Sequence, residues 1–190
     1  MGEFKKKLGL KDEFSVELDV KQIDFATTFF HHVDQGDTLT LTGIFDIFSS
    51  SKNEYRGTVT PANFKVKRKR KLFDMNGSFA IATGEFHQKG DRLVIDTKVT
   101  GMNKLLIPIL VFGLIFYGIF ILTFLFVSMQ SNVPFFVVPF IIVHAGIMLG
   151  IPIFLMNRSV KRLKYELERD FYFWTKPFDH QLPKRSLVGS

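Results

Sequence analysis

The sequence contains no cysteine, which excludes a disulfide framework and a thiolate metal site and is compatible with a reducing compartment. Its charged beginning, MGEFKKKLGLKDEF, is followed by no apolar core, so it does not read as a secretory signal. Lys6 stands where N-myristoylation requires Ser or Thr. Catalytic signatures are missing too: there is no Gly-x-Ser-x-Gly, no Walker-type phosphate loop, no dinucleotide glycine pattern and no HExxH. His31-His32 beside Asp34 and Asp37 could be drawn as a metal site, but adjacent histidines do not share a face and no carboxylate pair supports them. No catalytic residue, metal site or cofactor is expected.

The most consequential absence is of charge. Between Lys104 and Arg158 only the titratable His144 interrupts an uncharged run, Leu105 to Met156. An apolar run of about 18 residues can cross a bilayer as a helix, because the helix satisfies its own backbone where no water can, and this run is more than twice that length. Gln130-Ser131-Asn132-Val133-Pro134 is its polar, helix-breaking midpoint. The sequence therefore predicts a transmembrane helix over 105–129, an external turn at 130–132 and a second transmembrane helix over 133–156.

The formal charge of +7 is uneven: 17 basic and 14 acidic residues precede Leu105, and 8 basic and 4 acidic follow the apolar run. Arg158, Lys161, Arg162 and Lys164 crowd the exit of the second span, and the turn is uncharged. By the positive-inside rule both termini face the cytoplasm.

Residues 1–104 have the length of one soluble domain. Phe14, Val16, Leu18 and Val20 alternate with polar residues, as in a half-buried strand. Phe25, Phe29 and Val33 recur at four-residue spacing, which suggests a short helix behind Asp24. Further strand patterns run over Thr38–Phe48, from Glu54 to a break at Pro61, and through Phe64–Leu72; Ser78–His87 and Arg92–Thr100 form a hairpin. The expected fold is an α+β membrane protein: a mostly antiparallel sheet of about five strands with one short helix, then the helical hairpin. Past the hairpin, Val160, Leu163, Leu167, Phe171 and Trp174 step by three and four among charged residues. They predict a juxtamembrane amphipathic helix over 157–176, with Tyr165, Tyr172 and Trp174 as bilayer-interface aromatics; 177–190 reads as a flexible tail.

Three features are candidates for function. Lys65, Lys67, Lys69 and Lys71 share one face of a predicted strand, and Phe64, Val66, Arg68, Arg70 and Leu72 the other. That run reads either as a solvated edge strand protected by lysines or as a surface for anionic inner-leaflet lipid, joined by the basic residues from Arg158 to Lys164. The lack of interleaved aromatics disfavours nucleic acid. Within the spans, matching depths in an antiparallel hairpin bring His144 level with Tyr117 and Gly118, predicting a Tyr117–His144 hydrogen bond with Gly118 leaving room. Gly146 and Gly150 form a GxxxG pattern, and Gly113 and Gly118 offer a second notch on the first span, for packing within the hairpin or, as the alternative, between copies.

Tyr55-Arg56-Gly57-Thr58-Val59, Phe64-Lys65-Val66-Lys67-Arg68 and Gly84 ahead of a β-hairpin that leads into a span resemble a pattern in small uncharacterised bacterial membrane proteins. Those too place a β-rich cytosolic segment before a helical hairpin, and the resemblance implies no activity. The expectation from the residues is a membrane-anchored binding or scaffold protein that meets anionic lipid or a protein partner. The alternative is an oligomeric effector or small channel gated by a ligand of the β domain.

Overall fold

A computed structural model describes residues 9–38, 51–69, 79–101, 106–130 and 137–176. Among the described residues six strands form one sheet: β1 (Lys11–Leu18), β2 (Val33–Gln35), β3 (Tyr55–Val59), β4 (Asn63–Arg68), β5 (Ile81–Lys89) and β6 (Arg92–Thr100), in the spatial order β1-β6-β5-β4-β3-β2. All pairings are antiparallel except β2 with β3. The fold is therefore α+β as expected, with six strands rather than about five, in a mixed sheet. The additional strand, β2, is too short to show an alternation: helix α1 (Gln22–His31) carries the chain from one edge of the sheet to the other, and three residues then pair with β3. Most of the predicted Thr38–Phe48 strand lies outside the described residues.

β5 and β6 are adjacent strands joined at Gly90, whose φ of 61° is the left-handed conformation that favours glycine. Period-two alternation then turns Val66, Ala82, Phe86, Ile95 and Val99 to one buried face. Gly84 on that face lies under the ring of Phe64, where a Cβ would overlap the aromatic carbons.

Two helices follow the sheet. Helix α2 (Leu106–Gln130) has 25 residues and helix α3 (Val137–Thr175) has 39. Both are long and apolar enough to cross a membrane. Their large side chains stand exposed, among them Phe112, Phe116, Leu122, Phe140 and Phe154. Pro139 lies in the first turn of α3, where its missing N–H costs no hydrogen bond, and Pro152 is inside the helix.

α3 differs from the sequence expectation in one important way. It runs without interruption through Asn157-Arg158-Ser159, so the second apolar segment and the amphipathic segment are a single helix. The apolar face of its second half is covered by the sheet: Val160, Leu163, Leu167 and Phe171 belong to the same buried cluster as Phe25, Phe29, Phe64 and Phe86. The Phe171 ring lies 5.5 Å from both Phe25 and Phe29 and 5.9 Å from Phe64, edge-on to each. Residues 1–104 thus lack a complete core without the helix that follows the hairpin.

Candidate functional site

The residues singled out in the sequence fall into three places. The first is the seam between the sheet and α3. β4 is an interior strand between β3 and β5, so its lysines do not guard an edge. Arg68 shares the helix-facing side with Phe64 and Val66, and it meets the carboxylate of Glu166 on α3. Glu166 also accepts a hydrogen bond from Arg162 Nε at 2.9 Å, and Glu54 lies 3.7 Å from the Arg68 guanidinium. One oxygen of Glu166, Oε2, and Nε of Arg68 are buried with no hydrogen-bond partner. One turn further along α3, Asp170 Oδ2 accepts the Tyr55 hydroxyl at 2.6 Å. Burial and then the neighbouring carboxylate push the Tyr55 pKa upward, which keeps the phenol neutral and donating. The seam is therefore apolar at its centre, with an ionic row along one side.

The second place is the opposite side of the sheet near β2. Lys67 and Lys69 are buried there, while Lys65 is exposed. Lys69 Nζ donates to Asp34 Oδ2 at 2.5 Å, and Asp34 Oδ1 accepts from Ser51 Oγ at 2.6 Å and Asn53 Nδ2 at 2.9 Å. Burial alone would raise the Asp34 pKa, but the hydrogen bonds from Lys69, Ser51 and Asn53 outweigh it and hold the carboxyl below its ordinary value of 3.8. A carboxylate whose pKa is depressed on folding contributes stability that is fully present above the unfolded value and is lost as pH falls through the lower folded one. Urea midpoints measured across the acid range should fall more steeply below about pH 4 in the wild type than in Asp34→Asn; superimposable acid limbs would contradict this role. Arg70 and Lys71, which complete the predicted basic face, lie outside the described residues.

The third place is the helix pair. Tyr117 Oη lies 2.9 Å from His144 Nδ1, and the two rings are 5.9 Å apart. Among the described residues a Cβ built at Gly118, Gly146 or Gly150 meets nothing within 4 Å, so none of these is a close-packing notch between the described parts of α2 and α3. That notch is at Gly113, where a Cβ would come within 3.0 Å of Leu149 Cδ2. Gly113, one of the two first-span glycines singled out in the sequence, thus faces the other helix, whereas Gly118 and the GxxxG pair do not line that contact.

At the junction of sheet and helices, Gly101 ends β6 against Val160 Cγ2 and the Met156 carbonyl. The buried Ser159 hydroxyl accepts the backbone N–H groups of Phe79 and Ala80, each at 3.1 Å, and so fixes the start of β5 on α3. Gly9, at φ 66°, closes on the Asn157 side chain. Arg158 and Lys161 are exposed beside this junction, and Lys164 Nζ lies 3.2 Å from Asp12. Trp174 does not stand out as an interface aromatic. Its ring is 5.0 Å from Phe29 and 4.9 Å from His32, on the margin of the core. Tyr165 and Tyr172 are exposed on the other side of the helix.

A shallow depression of about 430 Å³ lies between β1 and β6, lined by Glu13, Phe14, Ser15, Asp96, Thr97 and Lys98. It contains none of the basic residues of β4. Among the described residues no group of three metal-ligating side chains comes together. Comparison with protein-family models, curated proteins and solved structures finds no match. The arrangement of these residues is what carries the functional reading.

Proposed function

We propose that the protein is a membrane-anchored binding or scaffold protein of the bacterial inner membrane. In this reading α2 and the first half of α3 form a two-span hairpin, and the sheet sits at the cytoplasmic surface. The observation that supports it most directly is the junction. α3 is one helix from its apolar half into the core of the sheet, and Gly101 packs on Met156 and Val160 where that apolar half ends. Val137–Met156 spans about 30 Å as a helix, the thickness of a bilayer core. The sheet is then held by packing as well as by its short connection, within reach of the headgroups. Arg158 and Lys161 would meet anionic lipid at that level, each contributing about 1 kcal/mol.

This contact is tested with the full chain in nanodiscs that contain phosphatidylglycerol and phosphatidylcholine. Lipid retained after delipidation should be enriched in phosphatidylglycerol, and Arg158→Ala with Lys161→Ala should reduce that enrichment by roughly five- to thirty-fold. Equal retention of both lipids would overturn the lipid contact. The second reading, an oligomeric effector or small channel, is favoured by the open space outside Gly146 and Gly150, which a second copy could fill. It predicts crosslinking between copies through that face and leakage from sealed vesicles.

A further inference from the structure

The outward face of α3 beyond Met156 has a composition that its buried face does not explain. At about 100° per residue, Arg158, Lys161, Tyr165, Arg169, Tyr172 and Lys176 fall within one narrow arc, opposite Val160, Leu163, Leu167 and Phe171. All six are exposed, Tyr165 at 68% and Tyr172 at 52%. The helix keeps two of its carboxylates off this arc: Glu166 turns to Arg68 and Asp170 to Tyr55, while Glu168 lies at the flank. Arg169 also bonds its neighbour Asp170 at 2.8 Å, and Lys176 Nζ lies 4.1 Å from the Phe173 ring centroid. Arg158 and Lys161 have no ion-pair partner among the described residues.

We propose that this arc is a docking surface for an acidic helix of a protein partner. The inference rests on the proposed reading that α3 emerges from the bilayer at Met156, and it names the partner for the same scaffold. Tyr165 and Tyr172 are seven residues apart, two helical turns or about 10.5 Å, which is the spacing at which a second helix presents successive apolar residues to a partner. The cations flanking them would meet carboxylates at the neighbouring positions of that second helix, giving electrostatic complementarity around an apolar seam. A single-stranded nucleic acid fits less well. It calls for a groove with closely spaced stacking platforms, whereas this surface is a convex ridge with two rings far apart. The bilayer itself fits only the first turns, since Tyr172 lies about 24 Å beyond Met156 along the helix, further than the Debye length of about 8 Å over which an exposed charge is felt at physiological salt.

The test uses the full-length protein in nanodiscs of neutral phosphatidylcholine. The probe is a designed amphipathic helical peptide of about three heptads with leucine at the seam and glutamate at the flanks. A peptide with lysine for glutamate, oligothymidylate and anionic vesicles serve as competitors. The acidic peptide should bind saturably. Tyr165→Ala with Tyr172→Ala should weaken it at least about tenfold, and Arg169→Glu with Lys176→Glu should abolish it, both with unchanged Trp174 emission as the check that the fold is intact. Equal binding of the lysine peptide, insensitivity to both double substitutions, or stronger binding of oligothymidylate or anionic vesicles would overturn the proposal. Loss of peptide binding alongside intact phosphatidylglycerol selectivity would overturn this inference alone; loss of that selectivity bears on the anchored-scaffold reading.

Discussion

Replacing Phe171 with alanine should undock the sheet from α3 and lower the stability of the soluble part by about 3–5 kcal/mol, as expected for removing a fully buried aromatic ring. Phe171 is inaccessible to solvent and touches rings from α1, β1 and β4 as well as Trp174 on its own helix. The single tryptophan reports the change, because Trp174 lies 6.0 Å from Phe171 and packs at a tilt against Phe29 and His32. Its emission should shift to the red in the variant, and the urea midpoint should drop. A midpoint within error of the wild type would mean that the sheet does not need the helix.

The ionic row beside that core leads to the second large effect. The Arg68 and Glu166 side chains are 14% and 11% exposed, and both retain an unpartnered buried atom. Removing Arg68 takes from the buried Glu166 its closest cation and leaves only the more exposed Arg162, 2.9 Å away, so Arg68→Ala should cost about 3 kcal/mol, the low end for breaking a buried pair. Replacing both by apolar residues of similar volume removes the desolvation penalty together with the attraction. Arg68→Met with Glu166→Leu should therefore be close to neutral or stabilising. Arg162, released by that change, is 35% exposed and can be solvated. Chemical denaturation of the three proteins distinguishes the cases: a double variant weaker than Arg68→Ala would show that the pair itself, rather than the penalty of breaking it, holds the seam.

Parts of this architecture can be read without coordinates because their causes are local. The apolar helices follow from composition alone, and the β5–β6 pair from alternation around Gly90. Depth matching across the midpoint of the apolar run places Tyr117 level with His144, and the two atoms are 2.9 Å apart. What could not be read depends on long-range choices. An amphipathic helix shows that one face will be covered, but a bilayer and a sheet make the same demand on Val160, Leu163 and Leu167. Here the sheet covers them. Arg68 and Glu166 are 98 residues apart in the chain, and nothing near either one names the other. The rotational phase of two packed helices is equally invisible in a spacing pattern: of the four glycines whose spacing suggested a notch, Gly113 alone meets the facing helix among the described residues. β2 is too short to have a pattern of its own.

The central claim is that a sheet domain docked on α3 is held at the cytoplasmic face of a membrane by the α2–α3 hairpin. Because the chain has no cysteine, single cysteines can be introduced without background, at Lys98 on the exposed sheet surface, at Tyr172 on α3 and at Asn132 between the helices. In intact cells an impermeant maleimide should label the Asn132 position only, and permeabilisation should make the other two reactive. Labelling of the Lys98 or Tyr172 position from outside, or recovery of the protein in the soluble fraction with all three positions equally reactive, would contradict the account.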